Sequence, residues 1–528
     1  MPTMRIVVAE PIADAGLEML RAFAEVDTAV GVDRDELEHR LRDADALVVR
    51  SATQVDARLI AAAPHLRVIG RAGIGVDNID IGAATRAGVL VVNAPEANAI
   101  SAAEHTMALL LAQARNVPQA DAALRGRVWD RKRFRGVELY GKTLGIVGLG
   151  RIGTLVAARA AAFGMHLIGY DPYVVPARAA HVGVELVASL DDLCAVADFI
   201  TVHLPKTRET EGLFDEARFT SMKDGVRIVN TSRGGVIDEN ALARAVGSGK
   251  VASAALDVFS SEPLTDGPLL DLPQVVLTPH LGASTREAQD RAGTDVAQAV
   301  ISALEGQLVL SAVNVDLGQD VSEEVRRFLA VSEHLGRMFV ALAGGLPRVL
   351  TLHAEGQLAG YPLRPLQLSV LKGVLVGTSD EPISYVNAES MAVARGVSLH
   401  EESSAEARGY RSLLRVSGVV AGRNVSVGGT VGRVPLIAGI LDFAIELPLA
   451  DHLLIIRNHD VPGMIGRIGT FLGEGGINIA DMVLGRSPDH PGMALMALSL
   501  DRSLTGDELE ALRSMRGVEE AVSIHLEV

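Results

Sequence analysis

An α/β chain of several domains is expected, on three observations. Short β-rich runs alternate with helical patterns over residues 5–93, and a second such series, opened by a glycine-rich turn, runs over 141–278. From His452 the order becomes strand, helix, strand, strand, helix, strand. Alternation of the first kind implies parallel sheets flanked by helices, and the terminal βαββαβ order is ferredoxin-like. At 528 residues the chain exceeds what one hydrophobic core serves, so three or four domains are expected.

The first series places strands at 5–9, 46–50, 68–71 and 89–93, with helices at 13–23 and 34–43. An apolar helix follows at 101–114, where Ser101 and Glu104 have capping-box spacing. The second series carries six strands, the first in GKTLGIVGLGRIG and the others near 166–170, 199–203, 227–230, 252–256 and 275–278, the number of a dinucleotide-binding sheet. Ser284 and Glu287 repeat the capping-box spacing before a helix that continues towards Glu305. Two long helices thus bracket the second series, as expected if one domain is inserted into another. Beyond Val315 come a helical stretch at 322–342 and β-prone segments at 348–354 and 425–431, with no catalytic signature. The final module reads as strand 453–457, helix 463–474, strands 477–484 and 493–500, helix 504–514 and strand 518–528.

Composition narrows the function. Hydrophobic residues make up 48% and charged residues 22%, a globular profile, and the formal charge of -16 opposes general affinity for nucleic acid or anionic membrane. Cys194 is the single cysteine, which excludes an internal disulfide and a Cys-rich zinc site; beside Leu193 and Val196 it reads as a core thiol. No metal is expected. Neither a signal-peptide pattern nor a run of about 18 apolar residues is present, so a cytoplasmic protein is expected.

The motif GLGRIG puts Gly148, Gly150 and Gly153 between an apolar strand and a helix over 151–163. The first glycine permits the turn, the second lets backbone approach a pyrophosphate, and the third lets helix and strand pack closely. Phosphates are favoured at the helix N-terminus by free N–H groups and the helix dipole. Asp171 follows the next strand at the spacing of the acid that binds the adenosine ribose, and a carboxylate there repels the extra phosphate of NADP, so NAD is the expected cofactor. The plainer alternative is a tight turn with Asp171 capping a loop beside Pro172.

Three further residues fall at strand ends or loops on the side where open α/β sheets bind ligands: Arg233 in NTSRGG, Glu262 in DVFSSEP and His280 in TPHLGAS. Oxidising a 2-hydroxy acid needs a base near neutral pH, which His280 supplies. Glu262 orients the ring and favours imidazolium, and Arg233 offers a fork to the substrate carboxylate. Singly each has a structural reading. Together, at matching positions, they resemble the Arg, Glu and His motifs of the D-isomer-specific 2-hydroxyacid dehydrogenases.

The resemblance extends over nearly the whole chain to the long-form D-3-phosphoglycerate dehydrogenases, through VRSATQVD, RAGIGVDNID, WDRKRFRGVELYGKTLGIVGLGRIG, NTSRGGVIDE and LTPHLGAST. It implies a flavodoxin-like substrate domain (1–98 and 283–315), an inserted Rossmann NAD-binding domain (99–282), an α+β intervening domain (316–450) and an ACT domain (451–528). It further implies oxidation of 3-phospho-D-glycerate at the head of L-serine biosynthesis, feedback inhibition by L-serine, and a homotetramer. Arg151, Ile152, His203, Pro205, Asn230, Thr231, Ser232, Asp257 and Gly282 are its additional cofactor contacts. Its substrate pocket takes in Arg50, Ser51, Arg71, Gly73, Ile74, Gly75 and Asn98, with Arg131 and Lys132 reaching a neighbouring subunit's pocket. Arginine and lysine suit a phosphorylated substrate, although the DRKRFRG run reads equally as a solvated basic loop. Ile74 stands where many relatives carry Thr. In the ACT domain Asp460 and Asn478 match ligand positions; their plainer roles are an N-cap acid and a turn asparagine. The alternatives are a dehydrogenase or reductase for another acid, of the glyoxylate or hydroxypyruvate type, and a non-enzymatic NAD-sensing scaffold.

Overall fold

The computed structural model describes residues 4–318, 321–376, 378, 383–407, 409–487 and 489–526. Four sheets follow one another along the chain. The first contains β1 (Arg5–Val8), β2 (Glu25–Thr28), β3 (Ala46–Val49), β4 (Val68–Arg71) and β5 (Leu90–Asn93), in the order β2-β1-β3-β4-β5, with β1 parallel to both neighbours. This is the flavodoxin-like order. β2 escapes the sequence reading because its four residues, Glu-Val-Asp-Thr, lie at the sheet edge and none is buried.

The second sheet holds β6 (Thr143–Val147), β7 (His166–Tyr170), β8 (Glu185–Leu186), β9 (Phe199–Val202), β10 (Val226–Asn230), β11 (Val251–Leu256) and β12 (Val275–Leu277). Its order is β12-β11-β10-β9-β6-β7-β8 and the ladders between neighbours are parallel. Seven strands replace the six expected, the addition being the two-residue β8. Strands such as Phe199–Val202 are buried throughout, as a sheet covered on both faces requires. The strand order reverses between β6 and β9, and ligands of such sheets bind beyond the carboxyl ends at that point.

Neither expected capping box forms. The first long helix spans Ala99–Ala114 with Asn98 as its N-cap; Ser101 sits inside the first turn and its hydroxyl meets that of Thr285 at 2.7 Å. Asn98 takes the N-cap position and Ala99 and Ile100 already belong to the helix, so it starts before Ser101. The second spans Arg286–Leu304, and Thr285, one residue beyond Ser284, accepts the Ala288 N–H at 3.2 Å. Its Gly293 lies against Gly16 of helix Asp14–Phe23 so closely that a Cβ on Gly16 would strike the Gly293 backbone, and one on Gly293 would crowd Ala13.

The third sheet comprises β13 (Val349–Gly356), β14 (Ser398–Ser404), β15 (Ser412–Val420), β16 (Arg423–Val431), β17 (Pro435–Ile440) and β18 (Phe443–Pro448), in the order β14-β13-β15-β16-β17-β18. The expected helix at 322–342 is two helices, Glu323–Arg327 and Leu329–Ala343, parted at the buried Phe328. Helices Leu329–Ala343 and Arg364–Val376 touch at Gly336 and Gly373, where a Cβ would run into the opposing backbone.

The last sheet is antiparallel: β19 (His452–His459), β20 (Ile479–Arg486), β21 (Met493–Leu500) and β22 (Val518–His525), ordered β20-β21-β19-β22, with helices Met464–Glu474 and Gly506–Arg513. The ferredoxin-like pattern forms, and here a capping box does close, between Thr505 and Glu508. The end of the expected strand at 518–528 lies outside the described residues. Two compact units result: Met1–Gln54 with Gly70–Asn78 and Asn93–Ile301, and Val55–Ile69 with Ile79–Val92 and Ser302–Val528.

Candidate active site

Within the first unit a cleft of about 1160 Å³ opens beyond the strand ends. Arg233, Glu262 and His280 all line it. Asn230, at the end of β10, shapes the Arg233 turn: its Oδ1 accepts the Ser232 N–H (3.0 Å) and hydroxyl (2.8 Å), and its Nδ2 donates to the Arg233 carbonyl (3.0 Å). The Arg233 guanidinium donates to the Ser232 carbonyl at 2.7 Å and lies 3.3 Å from Asp77. Opposite, His280 Nδ1 is 2.8 Å from Glu262 Oε2, while Glu262 Oε1 accepts the Phe259 N–H at 3.0 Å. An ionised carboxylate only accepts, so Nδ1 carries the ring proton and Nε2 keeps its lone pair. His280 itself adopts a left-handed backbone, φ 53°.

Three arginines line the cleft: Arg50, Arg71 and Arg233. Burial, and next repulsion by Arg233, push the Arg71 guanidinium down to about 10, and its Nε is buried without a partner. Glu10, which sequence reasoning missed, holds the loop after β3: its carboxylate accepts the N–H groups of Arg50 (2.9 Å), Ala52 (3.1 Å) and Thr53 (2.9 Å). Burial alone would raise the Glu10 carboxyl, but these backbone donors hold it below the usual range. Ser51, Gly73 and Asn98 also line the cleft, and Asn98 Oδ1 is buried without a partner. Ile74 and Gly75 stand behind it. The Ile74 carbonyl accepts from Asn93 (2.6 Å), and Gly75 faces the ends of the Arg233 and Asp77 side chains, which a Cβ there would displace. Arg131 and Lys132 are exposed and outside this cleft.

The glycine turn meets the requirements of a dinucleotide. Gly148 has φ 93° and lies against the His203 carbonyl, and a Cβ on Gly153 would strike the Gly148 carbonyl. Gly150, the N-cap of helix Arg151–Ala162, has open space where its side chain would be, a cradle beside the helix N-terminus. Asp171 ends this turn, its oxygens accepting the N–H groups of Leu149 (2.8 Å) and Tyr173 (2.9 Å). Arg151 pairs with Glu96 at 3.4 Å, and Ile152 packs into the core beneath. Burial pushes the His203 imidazole down to about 4; its Nε2 meets the Thr201 hydroxyl at 3.0 Å and its Nδ1 has no partner. Pro205 is exposed, its carbonyl accepting the Thr210 hydroxyl at 2.6 Å. Thr231 is buried against the Thr106 hydroxyl at 2.6 Å. Asp257 and Gly282 meet each other: the Gly282 N–H donates to Asp257 at 2.8 Å. His105, also missed in the sequence, joins them at 3.1 Å from Asp257.

In the second unit the Asp460 carboxylate is paired with Arg486 at 2.6 Å, which holds it below the usual range. Asn478 is exposed, and its backbone N–H donates to Asp501 at 3.0 Å. Cys194 is buried, and burial pushes its thiol up to about 11, as befits a core residue. Among the described residues no cluster of three or more His, Cys, Asp or Glu is arranged for a metal, and no helix is long and apolar enough to cross a membrane.

Comparison with known proteins gives a consistent set of likenesses. Residues 107–282 match the NAD binding domain of the D-isomer specific 2-hydroxyacid dehydrogenases, residues 324–435 the D-3-phosphoglycerate dehydrogenase intervening domain, and residues 452–517 the ACT domain. The chain is 49% identical over 511 residues to D-3-phosphoglycerate dehydrogenase of Mycobacterium leprae, covering 96% of each. It is 42% identical to that of Archaeoglobus fulgidus, covering 99% of this chain and 100% of the relative. Among solved structures, the TT0316 protein from Thermus thermophilus (34% identity, TM-score 0.54) aligns over 100% of its length with 59% of this chain. A glyoxylate reductase from Paecilomyes thermophila (34% identity, TM-score 0.55) also covers 59% of this chain, over 99% of its own length.

Proposed function

Because the chain belongs to the D-3-phosphoglycerate dehydrogenase family, we propose that it oxidises 3-phospho-D-glycerate to 3-phosphohydroxypyruvate with NAD, the first step towards L-serine. The observation that carries this reading is one cleft holding Arg50, Arg71 and Arg233 together with the His280–Glu262 pair. A phosphorylated hydroxy acid has two anionic ends, and Arg forks match carboxylate and phosphate geometry. Arg233 takes the carboxylate; Arg50 and Arg71 face the phosphate. His280 Nε2 removes the hydroxyl proton as the carbon–hydrogen bond breaks and the carbonyl forms. Glu262, on Nδ1, stabilises the resulting imidazolium. Gly148, Gly150 and Gly153 would hold the phosphates of NAD and Asp171 its ribose, and the bound cofactor would supply the hydride acceptor.

The same proposal takes the chain as four domains: substrate (1–98 and 283–315), cofactor (99–282), intervening (316–450) and ACT (451–528). L-serine is the effector at Asp460 and Asn478, and Arg131 and Lys132 serve a neighbouring subunit's pocket in a cytoplasmic homotetramer. The test is NADH formation from 3-phospho-D-glycerate beside D-glycerate and D-lactate, each with and without L-serine. Preference for the phosphorylated acid is expected; equal rates on all three would reduce the enzyme to a general hydroxyacid dehydrogenase. Light scattering in solution checks the tetramer.

A further inference from the structure

A buried carboxylate beneath the His280 loop, which the resemblance counts among the cofactor contacts, holds that loop as well. Asp257 directly follows β11 and is 0% exposed. Its Oδ1 accepts the Thr278 hydroxyl (2.6 Å), the Leu281 N–H (2.7 Å) and His105 Nε2 (3.1 Å), and its Oδ2 accepts the Gly282 N–H (2.8 Å). Three of these donors belong to the segment 278–282, which is centred on His280. The fourth comes from the helix Ala99–Ala114.

That arrangement answers a conformational need. A left-handed backbone at a non-glycine residue costs on the order of 1–2 kcal/mol and persists only where the surroundings enforce it. At His280 they do so from both sides: Thr278 is held before it, Leu281 and Gly282 after it, all on one carboxylate. Burying an ionised carboxylate requires donors or a cation, and His105 is the one side chain among the four that can carry positive charge. Its Nε2 is also 3.1 Å from the Thr278 hydroxyl, which already donates to Asp257, so the Nε2–H bridges both oxygens. Burial pushes the Asp257 carboxyl up, yet the hydrogen bonds from His105, Thr278 and the Leu281 N–H outweigh it and keep the group below its usual range. The helix is itself fixed against the neighbouring loops on either side of His105, through Ser101 to Thr285 (2.7 Å) and Thr106 to Thr231 (2.6 Å).

We propose that His105 is a positioning residue for the oxidation: by clamping Asp257 and Thr278 it sets the 278–282 loop, and with it the angle at which His280 Nε2 meets the substrate hydroxyl. The proposal rests on the reading of His280 as the base. It gives His105 no contact with substrate.

The experiment uses the full-length enzyme with His105→Phe, which removes the donor and keeps bulk, and His105→Gln, which restores an N–H near the position of Nε2. His105→Phe is expected to lower kcat roughly 10–100-fold, the effect of a small misplacement of a reacting group, with the KM for 3-phospho-D-glycerate little changed. His105→Gln should recover most of kcat. An unaltered kcat in His105→Phe overturns the proposal, as does a loss that Gln fails to repair. Should His105→Phe not fold, Thr278→Val, which deletes the shared hydroxyl from the other side, is judged by the same split between kcat and KM. His280→Ala runs in parallel. If it keeps the wild-type rate the base assignment falls and takes this proposal with it; an inactive His280→Ala beside an unaffected His105→Phe sinks the positioning role alone.

Discussion

Glu262→Gln tests the His280 assignment through the ring's tautomer. Glu262 presents two acceptor oxygens to two donors, the Phe259 N–H at 3.0 Å and His280 Nδ1–H at 2.8 Å. Glutamine has a single acceptor. If its carbonyl keeps Phe259, its NH2 confronts Nδ1 and drives the ring proton onto Nε2, the atom that must take the substrate proton. If it turns to His280, the Phe259 N–H confronts the amide. A hydrogen bond to a charged group is worth about 1.5–3 kcal/mol. The side chains of His280 and Glu262 are 47% and 35% exposed, so solvent screening favours the lower part of that range. A loss of about 1.5–2 kcal/mol in the transition state corresponds to roughly 10–30-fold in kcat. The assay is steady-state NADH formation at saturating 3-phospho-D-glycerate, with NADH binding followed separately by fluorescence and expected to be unchanged. A Gln variant with nearly the wild-type rate, or one whose defect lies wholly in KM, would refute the reasoning.

Gly153→Ala places a Cβ against the Gly148 carbonyl, so NADH affinity should fall by about tenfold or more through forced backbone movement; an unchanged fluorescence titration counts against the glycine turn as the phosphate site. Lys372 and Glu333 pair at 2.9 Å with side chains 8% and 13% exposed, and Lys372→Met should cost roughly 1–3 kcal/mol in urea unfolding because it removes one charged partner from a buried carboxylate that keeps Arg337 and Tyr385, each at 2.9 Å; no measurable loss would contradict this. Burial pushes the Glu333 carboxyl up, but Lys372 and then Tyr385 hold it below the ordinary glutamate value. Its stabilising contribution is therefore complete above that value and lost as pH falls through the lower, folded one, so Glu333→Gln should flatten the acid limb of a stability–pH curve. Asp460→Ala should abolish the L-serine response and Arg486→Ala should strengthen it a few-fold by freeing the carboxylate now paired with Arg486; weaker inhibition in Arg486→Ala would mean that the arginine itself binds the effector.

How much of this could be read from the sequence depended on how local the cause was. The glycine turn was legible because each glycine answers a steric demand within a few residues, and Arg233, Glu262 and His280 because each ends or follows a strand whose apolar run is easily seen. The two capping boxes failed for the opposite reason. Ser101 and Ser284 had suitable spacing, but the caps fall elsewhere, at Asn98, three residues before Ser101, and at Thr285, a competitor one residue beyond Ser284. β2 had too few apolar residues to show a period. His105 and Glu10 were invisible because their partners are remote in the chain: Asp257 lies 152 residues from His105, and Arg50 lies 40 from Glu10. Nothing around His105, set in an Ala- and Leu-rich helix, separates it from a histidine that merely fills space.

The ACT module, a ferredoxin-like unit by its sequence pattern, shares its core with the elements before it. The face of its sheet bearing Leu454, Ile456, Met496 and Leu498 packs on its own helices. The other face, with Leu453, Ile455, Leu495, Ala497 and Ile524, merges into the core built from Leu329–Ala343, Arg364–Val376 and β13–β18. Polar contacts run along the same seam: Arg423 to Glu520 at 2.6 Å through both guanidinium nitrogens, and Arg337 to the Leu526 carbonyl at 2.7 Å. Residues this deeply shared unfold together. Deleting the chain from His452 onward would therefore uncover apolar surface of the intervening domain, and lost regulation in such a truncation would not distinguish a missing effector site from a damaged core. Asp460 lies just past the end of β19, away from that seam in sequence and exposed enough to be changed alone, so a point substitution there separates effector binding from folding where truncation does not.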